Sequence, residues 1–269
     1  GPPQARRSGR LRGVQEGGGG MILQRIASQK AREVETLKRP RASLAKSLEA
    51  PGITVVAEIK KASPSKGIIA DPFEPERQLD AYVRGGAGAV SVVTDRTFFQ
   101  GSGELLRSLR PRTGLPLLRK DFLVDPLQVY ESFFLGADAV LLIAALLPGK
   151  KLGRMLKTAS SLGLETLVEV HDEDELRQAL ETEAPVIGIN NRDLRDFSVN
   201  LQTTGRLLRE FDRLEPRRAR RVVAESGIST RSDAAFMEDL GVDGILVGES
   251  LMRSADPAAG VRKLRGLEP

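Results

Sequence analysis

Eight short apolar runs, each separated from the next by enough chain for a helix, recur from residue 54 onward and leave few ways to fold. The runs are TVVAEI (54–59), AVSVV (89–93), PLLR (116–119), AVLLI (139–143), ETLVEV (165–170), VIGIN (186–190), RVVAE (221–225) and GILV (244–247). They are β-branched or leucine-rich and nearly continuous in apolarity, the pattern of parallel strands covered on both faces. Helical patterns such as 75–84 and 174–180 lie between them and can serve as crossovers. Three junctions carry the same punctuation, GAGAV at 86–90, GADAV at 136–140 and GVDGI at 241–245. Glycine stands there where a helix ends before a strand, a position that favours the left-handed backbone conformation. Eight such units with no second composition regime predict a single (β/α)8 barrel of the TIM type, with an open doubly wound sheet as the alternative.

The chain of 269 residues suits one large barrel or two small domains, and its composition narrows the chemistry. There is no cysteine, one histidine and no tryptophan, which excludes disulfide scaffolds, cysteine-based zinc sites and thiolate catalysis. The reactive groups must come from Lys, Glu, Asp, Ser and Asn. The longest apolar run, 139–147, stops at Pro148-Gly149 and falls short of the roughly 20 residues a membrane span needs. Ahead of the barrel, the segment from Met21 places Leu23, Ile26, Ala27, Val34 and Leu37 near one helical face, predicting an amphipathic leading helix that joins the barrel in one domain, 21–269. Residues 1–20 carry no apolar signal core and end in Gly17 to Gly20, so they read as a flexible Gly/Arg-rich extension and the protein as cytoplasmic. Without the extension's four arginines and one glutamate the formal charge falls from +5 to +2, which removes the best support for nucleic-acid binding.

In a barrel of this type function gathers where the strands end, and nearly every strand offers a polar residue there. Strand one ends Glu58-Ile59-Lys60, whose alternation puts Glu58 and Lys60 on one face. Strand three runs into Arg119-Lys120-Asp121-Phe122, strand five into Glu169-Val170-His171, and strand six into Asn190-Asn191-Arg192. Any one of these could be a structural ion pair or a solvated strand end; together they are more specific. His171, just before a helical run, reads as a loop residue outside the chemistry. Strands seven and eight end in Glu225-Ser226-Gly227 and Gly248-Glu249-Ser250, small residues before a short helical stretch, which is where such barrels commonly bind phosphate. The loop Ser63-Pro64-Ser65-Lys66 after strand one is suited to covering an anionic ligand.

The combination AEIKKASPSKG (57–67), FFQGS (98–102), LLRKDF (117–122), LVEVH (167–171), GINNRDL (188–194), AESGI (224–228) and LVGESLM (246–252) resembles the indole-3-glycerol phosphate synthase family. The motifs stand in the family's order from about Met21 to the end of the chain; Gly103 departs from the usual leucine after FFQGS. The resemblance implies ring closure of 1-(2-carboxyphenylamino)-1-deoxyribulose 5-phosphate with loss of carbon dioxide and water, in tryptophan biosynthesis, with no cofactor and no metal. It implies Lys120 as general acid and Lys60 as the group that holds the substrate carboxylate or donates a second proton. Glu169 would stabilise positive charge on the anilino group or act as base, with Glu58 and Asn190 positioning substrate hydroxyls and the lysines. Phe99 and Phe122 would pack around the anthranilate ring. Ser63, Ser65, Lys66 and Arg192 would bind substrate, and Ser226, Gly227, Gly248, Glu249 and Ser250 its phosphate, Glu249 through its N–H with the carboxylate turned away. The expected partner is the small phosphorylated substrate alone, with no nucleic acid or membrane, for a monomeric enzyme.

Two rival readings of the residues stay open at this point. One is a Schiff-base lyase or isomerase on the same barrel, in which Lys120 attacks a sugar-phosphate carbonyl as a nucleophile. The other is a basic binding protein using Arg217, Arg218, Arg220, Arg221 and the N-terminal arginines, a segment that lacks interleaved aromatics.

Overall fold

The computed structural model describes residues 18–37, 41–215 and 220–267, and the eight predicted strands close into a barrel. They are β1 Thr54–Ile59, β2 Ala89–Val93, β3 Leu117–Lys120, β4 Ala139–Ile143, β5 Glu165–Val170, β6 Val186–Asn190, β7 Arg221–Glu225 and β8 Gly244–Val247. Each pairs in parallel with its neighbours in chain order, and β1 pairs with β8 through Thr54↔Gly244 and Val56↔Leu246, which rules out the open sheet. Only the third strand departs from its expected bounds, by one residue. Pro116 lends the ladder its carbonyl, accepting from Val90 N–H at 2.9 Å, but has no N–H to give. At the other end the ladder continues through the polar Lys120, opposite Val93.

The chain divides into two compact units, before and after residue 41. The first contains α1, Gly18–Leu37, which begins three residues ahead of the expected start, inside the segment read as an extension; residues 1–17 lie outside the described residues. The second unit holds α2 (Leu44–Ser47), α3 (Pro75–Gly85), α4 (Gly103–Leu109), α5 (Pro126–Leu135), α6 (Lys150–Ser161), α7 (Glu173–Leu180), α8 (Gln202–Leu214), α9 (Arg231–Asp239), α10 (Glu249–Met252) and α11 (Pro257–Leu264). Gly86 and Gly136 cap α3 and α5 at φ 81° and 91°, and Gly241 follows α9 at φ 79°, as the repeated punctuation required. Among the described residues, no helix is long and apolar enough to cross a membrane.

Side-chain alternation splits the core into two layers. Val56, Ala89, Leu118, Leu141, Leu167, Val186, Val223 and Leu246 fill the barrel, joined by Leu44 of α2 and Leu48, which caps its carboxyl end. A larger cluster, including Val55, Val92, Val140, Val168, Ile187 and Val222, packs between the strands and the surrounding helices. The barrel is therefore plugged at its amino-terminal end by α2. Gly244 makes room for that plug: a Cβ there would stand 2.5 Å from Leu48 Cδ2. The open end is the one where the polar strand ends project.

Candidate active site

Three buried glutamates and two lysines converge at the carboxyl-terminal mouth. The centre is Lys120, whose Nζ lies 3.1 Å from Glu169 Oε2 and 3.0 Å from Glu225 Oε2. Asn190 donates Nδ2–H to the other oxygen of Glu169 at 2.9 Å. A second pair, Lys60 Nζ to Glu58 Oε1 at 2.6 Å, stands on β1, so Lys60 is not a solvated strand end. Tyr82 of α3 donates its hydroxyl to the Glu58 carbonyl at 2.9 Å and braces this strand end from behind.

Local sequence explains why Lys120 is held still. Its neighbour Arg119 points the opposite way, as strand alternation demands, and is buried. Arg119 donates Nε–H to Thr94 Oγ1 (3.0 Å), an Nη–H to Ser132 Oγ (3.0 Å) and another to Asp121 Oδ2 (3.0 Å). It thereby ties the ends of β2 and β3 to α5. Two glycines provide space for the carboxylates. A Cβ on Gly188 would run into Glu225 Oε1 and Leu167, and one on Gly248 would stand 2.5 Å from Glu58 Oε1.

Burial alone would discharge these groups; their mutual contacts decide otherwise. Burial pushes the Lys120 ammonium down, but Glu169, Glu225 and Glu58 outweigh it and hold the lysine above its ordinary range. Burial likewise pushes Glu169 up, and Lys120, His171 and Asn190 bring it well below the usual carboxylate range. Glu225 goes the other way: burial raises it to about 7, Lys120 offsets only part of that, and Glu169 and Glu58 add to it. Two carboxylates on one ammonium therefore have opposite proton affinities.

A cavity of about 930 Å³ surrounds this constellation, and each residue to which the resemblance assigns a role lines it, while Arg119, Asn191 and His171 do not. Glu58, Lys60, Lys120, Glu169 and Asn190 form one part of its lining. Phe99 and Phe122 stand with ring centroids 6.0 Å apart at 37°, a direct aromatic pair that gives the cavity an apolar wall for a flat ring. The FFQGS turn places Phe99: Asp95 accepts its N–H at 3.0 Å, and Gly101 packs where any Cβ would meet the Val93 carbonyl. Ser63, Ser65 and Lys66 line the cavity from the loop after β1, and Arg192 from the loop after β6.

Ser226, Gly227, Gly248, Glu249 and Ser250 form the lining after β7 and β8. Ser226 and Gly227 both take positive φ, 67° and 79°. Asn191 steadies that turn by donating to the Ser226 carbonyl at 3.2 Å. The first amides of α10 have no acceptor within the helix, and the buried Ser250 Oγ has no partner among the described residues. The Glu249 carboxylate pairs with Arg253 at 3.3 Å; Arg253 also lines the cavity, a cation the sequence reading passed over.

Two further residues went unrecognised. Glu225 was read only as the start of a Gly/Ser turn, although strand alternation puts it on the inward face with Val223, and register puts it beside Asn190. His171 does lie in a loop, yet its Nε2 is 3.1 Å from Glu169 Oε1. The described members of the basic segment are engaged structurally: Arg220 pairs with Glu215 at 2.6 Å, and Arg221 with Glu49 at 3.2 Å and Asp243 at 3.4 Å. Arg217 and Arg218 lie outside the described residues.

Comparison with known proteins points to one family. Residues 22–264 match the family model of indole-3-glycerol phosphate synthase. A protein of that name from Petrotoga mobilis is 49% identical, covering 91% of this chain and 96% of its own. Another from Azoarcus sp. is 52% identical over 79% of each chain. Among solved structures, a thiamine phosphate pyrophosphorylase from Pyrococcus furiosus aligns with a TM-score of 0.58 at 19% identity, covering 83% of this chain and 96% of that one, a likeness of fold alone.

Proposed function

The chain belongs to the indole-3-glycerol phosphate synthase family, and from that premise we propose how its side chains divide the work of the reaction. The family's activity is that of a carboxy-lyase of tryptophan biosynthesis, which converts 1-(2-carboxyphenylamino)-1-deoxyribulose 5-phosphate to indole-3-glycerol phosphate, carbon dioxide and water. The ring carbon that bears the carboxylate attacks the C2′ carbonyl. Carbon dioxide leaves that carbon, and loss of the C2′ hydroxyl with a C1′ proton completes the indole.

Lys120 is the general acid at the C2′ oxygen. The observation that carries this is its position between Glu169 and Glu225, at 3.1 and 3.0 Å, which keeps it a cation where negative charge develops. The same contacts speak against a Schiff-base role, because a nucleophilic lysine must be neutral. Lys60 binds the substrate carboxylate or supplies the proton for departure of the hydroxyl, with Glu58 orienting it. Glu169 stabilises the positive charge that builds on the anilino nitrogen or removes the C1′ proton, and Asn190 fixes its angle. Phe99 and Phe122 hold the aromatic ring in reach of the carbonyl, a positional contribution to rate. Ser226, Gly227, Gly248, Glu249 and Ser250 bind the phosphate, with Lys66, Ser63, Ser65 and Arg192 closing over the substrate. The same reading has the enzyme act as a monomer in the cytoplasm without a cofactor.

Product indole fluorescence tests it against a background free of tryptophan. Lys120→Ala is expected to lower kcat/KM by about 10²- to 10⁴-fold. Activity that survives the substitution moves the acid role to Lys60, and a borohydride-stable adduct on Lys120 replaces the acid by a nucleophile.

A further inference from the structure

Lys120 touches two glutamates of one chemical type, at nearly the same distance and both buried, but their outer oxygens differ. Glu225 Oε1 has no hydrogen-bond partner among the described residues. Glu169 Oε1 receives Asn190 and lies 3.1 Å from His171 Nε2, an ion-pair contact without hydrogen-bond alignment, since Nε2 has no hydrogen-bond partner among the described residues. The histidine is itself clamped. Glu175, on the first turn of α7, places Oε2 2.9 Å from His171 Nδ1 and accepts the backbone N–H of His171 at 2.9 Å with the same oxygen. Ring and backbone are thus fixed by a single carboxylate, and the ring spans from α7 to the mouth of β5.

We propose that His171 is a positioning residue: clamped by Glu175, it pins the outer oxygen of Glu169 as Lys120 pins the inner one, and so assigns the two glutamates on Lys120 different tasks. Glu169 stays the fixed anion through the reaction, and Glu225 is the one left to exchange protons. This deepens the reading of Glu169 given above and rests on it.

The surroundings favour a cationic ring. Burial pushes the imidazole down, but Glu169 and Glu175 outweigh it and raise it to about 10. The recess of about 440 Å³ beside the ring is also lined by Asp172 from its own loop, Arg192, Asp193 and Arg195 from the loop after β6, and Arg206 of α8. Asp193 pairs with Arg195 at 2.6 Å, and Arg206 with Glu173 of α7, so these charges are largely spent on one another and Glu169 and Glu175 dominate the ring. A cation at each oxygen of Glu169 matters most when Lys120 releases its proton. With His171 in place, Glu169 is a poor acceptor for that proton, which then goes to substrate.

The test is steady-state kinetics by indole fluorescence against pH for the parent, H171Q, H171N, E169Q and E169Q/H171Q. Both substitutions remove the ring's charge, H171Q with a side chain of nearly the imidazole's reach and H171N with a shorter one. H171Q is expected to lower kcat about tenfold with KM within about twofold, and H171N to lower it further. The acidic limb of kcat moves to higher pH in H171Q, because Glu169 then competes with Glu225 for a proton. In the E169Q background the change at residue 171 leaves kcat and the limb where E169Q put them. The proposal is overturned by a limb in H171Q that superimposes on the parent's, or by an equal loss in both backgrounds, which marks a merely structural role. Full activity in E169Q itself would overturn the reading of Glu169, a failure recognised with residue 171 untouched.

Discussion

Both ends of the barrel hold buried or half-buried carboxylates, and they partner them by different means. At the amino-terminal floor, Glu165 accepts the hydroxyl of Ser43 at 2.6 Å and the backbone N–H of Ala45 at 2.8 Å. Asp138 accepts the N–H groups of Leu117 (2.9 Å) and Ala42 (3.2 Å) and pairs with Arg110. Asp243 accepts Val222 N–H at 2.7 Å. The floor thus mixes backbone amides with Ser43, Arg110 and Arg221, whereas at the mouth Glu58, Glu169 and Glu225 meet side chains: Lys60, Lys120, Asn190 and His171. A backbone amide can hold a carboxylate but cannot surrender a proton to it. A lysine can do both. The floor carboxylates are satisfied by backbone amides, a serine hydroxyl and arginines, none of which gives up a proton near neutral pH, and those that face a substrate meet lysines and a histidine, which can.

If that division is real, damage at the floor should cost stability and spare the chemistry. Leu48→Ala is the strongest form of the test. The side chain is 2% exposed, belongs to the cluster that fills the barrel and fits against Gly244. Truncation leaves a cavity and is expected to cost about 3 kcal/mol in denaturant unfolding, with kcat of the folded fraction at 25 °C unchanged. A fall in kcat beyond the folded fraction would mean that the floor helps set the geometry of the mouth.

How much of this was legible beforehand depended on whether the signal was local. Seven strands have the bounds their apolar runs suggested, because a strand buried on both faces writes its length directly into the sequence. The leading helix starts earlier than its pattern, since glycines 18 to 20 have poor helix propensity and read as coil. Lys120, Glu169 and Lys60 could be found because each ends a strand within a distinctive motif. Glu225 could not be given a role from AESGI alone, since its meaning comes from Lys120, 105 residues earlier in the chain. Gly188 and Gly248 are equally silent: their function is to leave room for a carboxylate on a neighbouring strand. His171 reads as a loop residue and lies in one; its closeness to Glu169 is silent in the sequence, because a histidine before an acidic helix start resembles a solvated turn and only the fold brings Glu169 against it.

The pH dependence sharpens the comparison further. Glu225 is raised to about 7, above the ordinary range, so between the two values the unfolded chain ionises while the folded one retains its proton. Its stabilising contribution is complete below the ordinary carboxylate range and is lost as pH rises through about 7. Glu225→Gln removes that loss. The variant's melting temperature relative to the parent should therefore climb between about pH 5 and 8, by the equivalent of about 2 kcal/mol. The ionisation near neutrality should also vanish from its kcat/KM profile. A difference that stays flat with pH would mean that Lys120 holds Glu225 ionised, and that the two glutamates on Lys120 behave alike.

The smallest effect tests the strand on which both ends meet. β5 carries Glu165 at the floor and Glu169 at the mouth, four residues or about 13 Å apart along one face. Ser43 binds the lower carboxylate and also caps α2, accepting Lys46 N–H at 3.0 Å. Ser43→Ala removes both contacts and is expected to cost about 1 kcal/mol in urea unfolding. Between the two carboxylates the strand is held on both sides, with Ala139↔Glu165 and Leu141↔Leu167 toward β4 and Leu167↔Val186 and Glu169↔Gly188 toward β6. Slack at Glu165 then has no route to Glu169 short of breaking those ladders, so kcat should match the parent's. If kcat instead falls with the lost cap, β5 acts as a rod between the ends, and the floor's fixed donors belong to the catalytic design as well as to the fold.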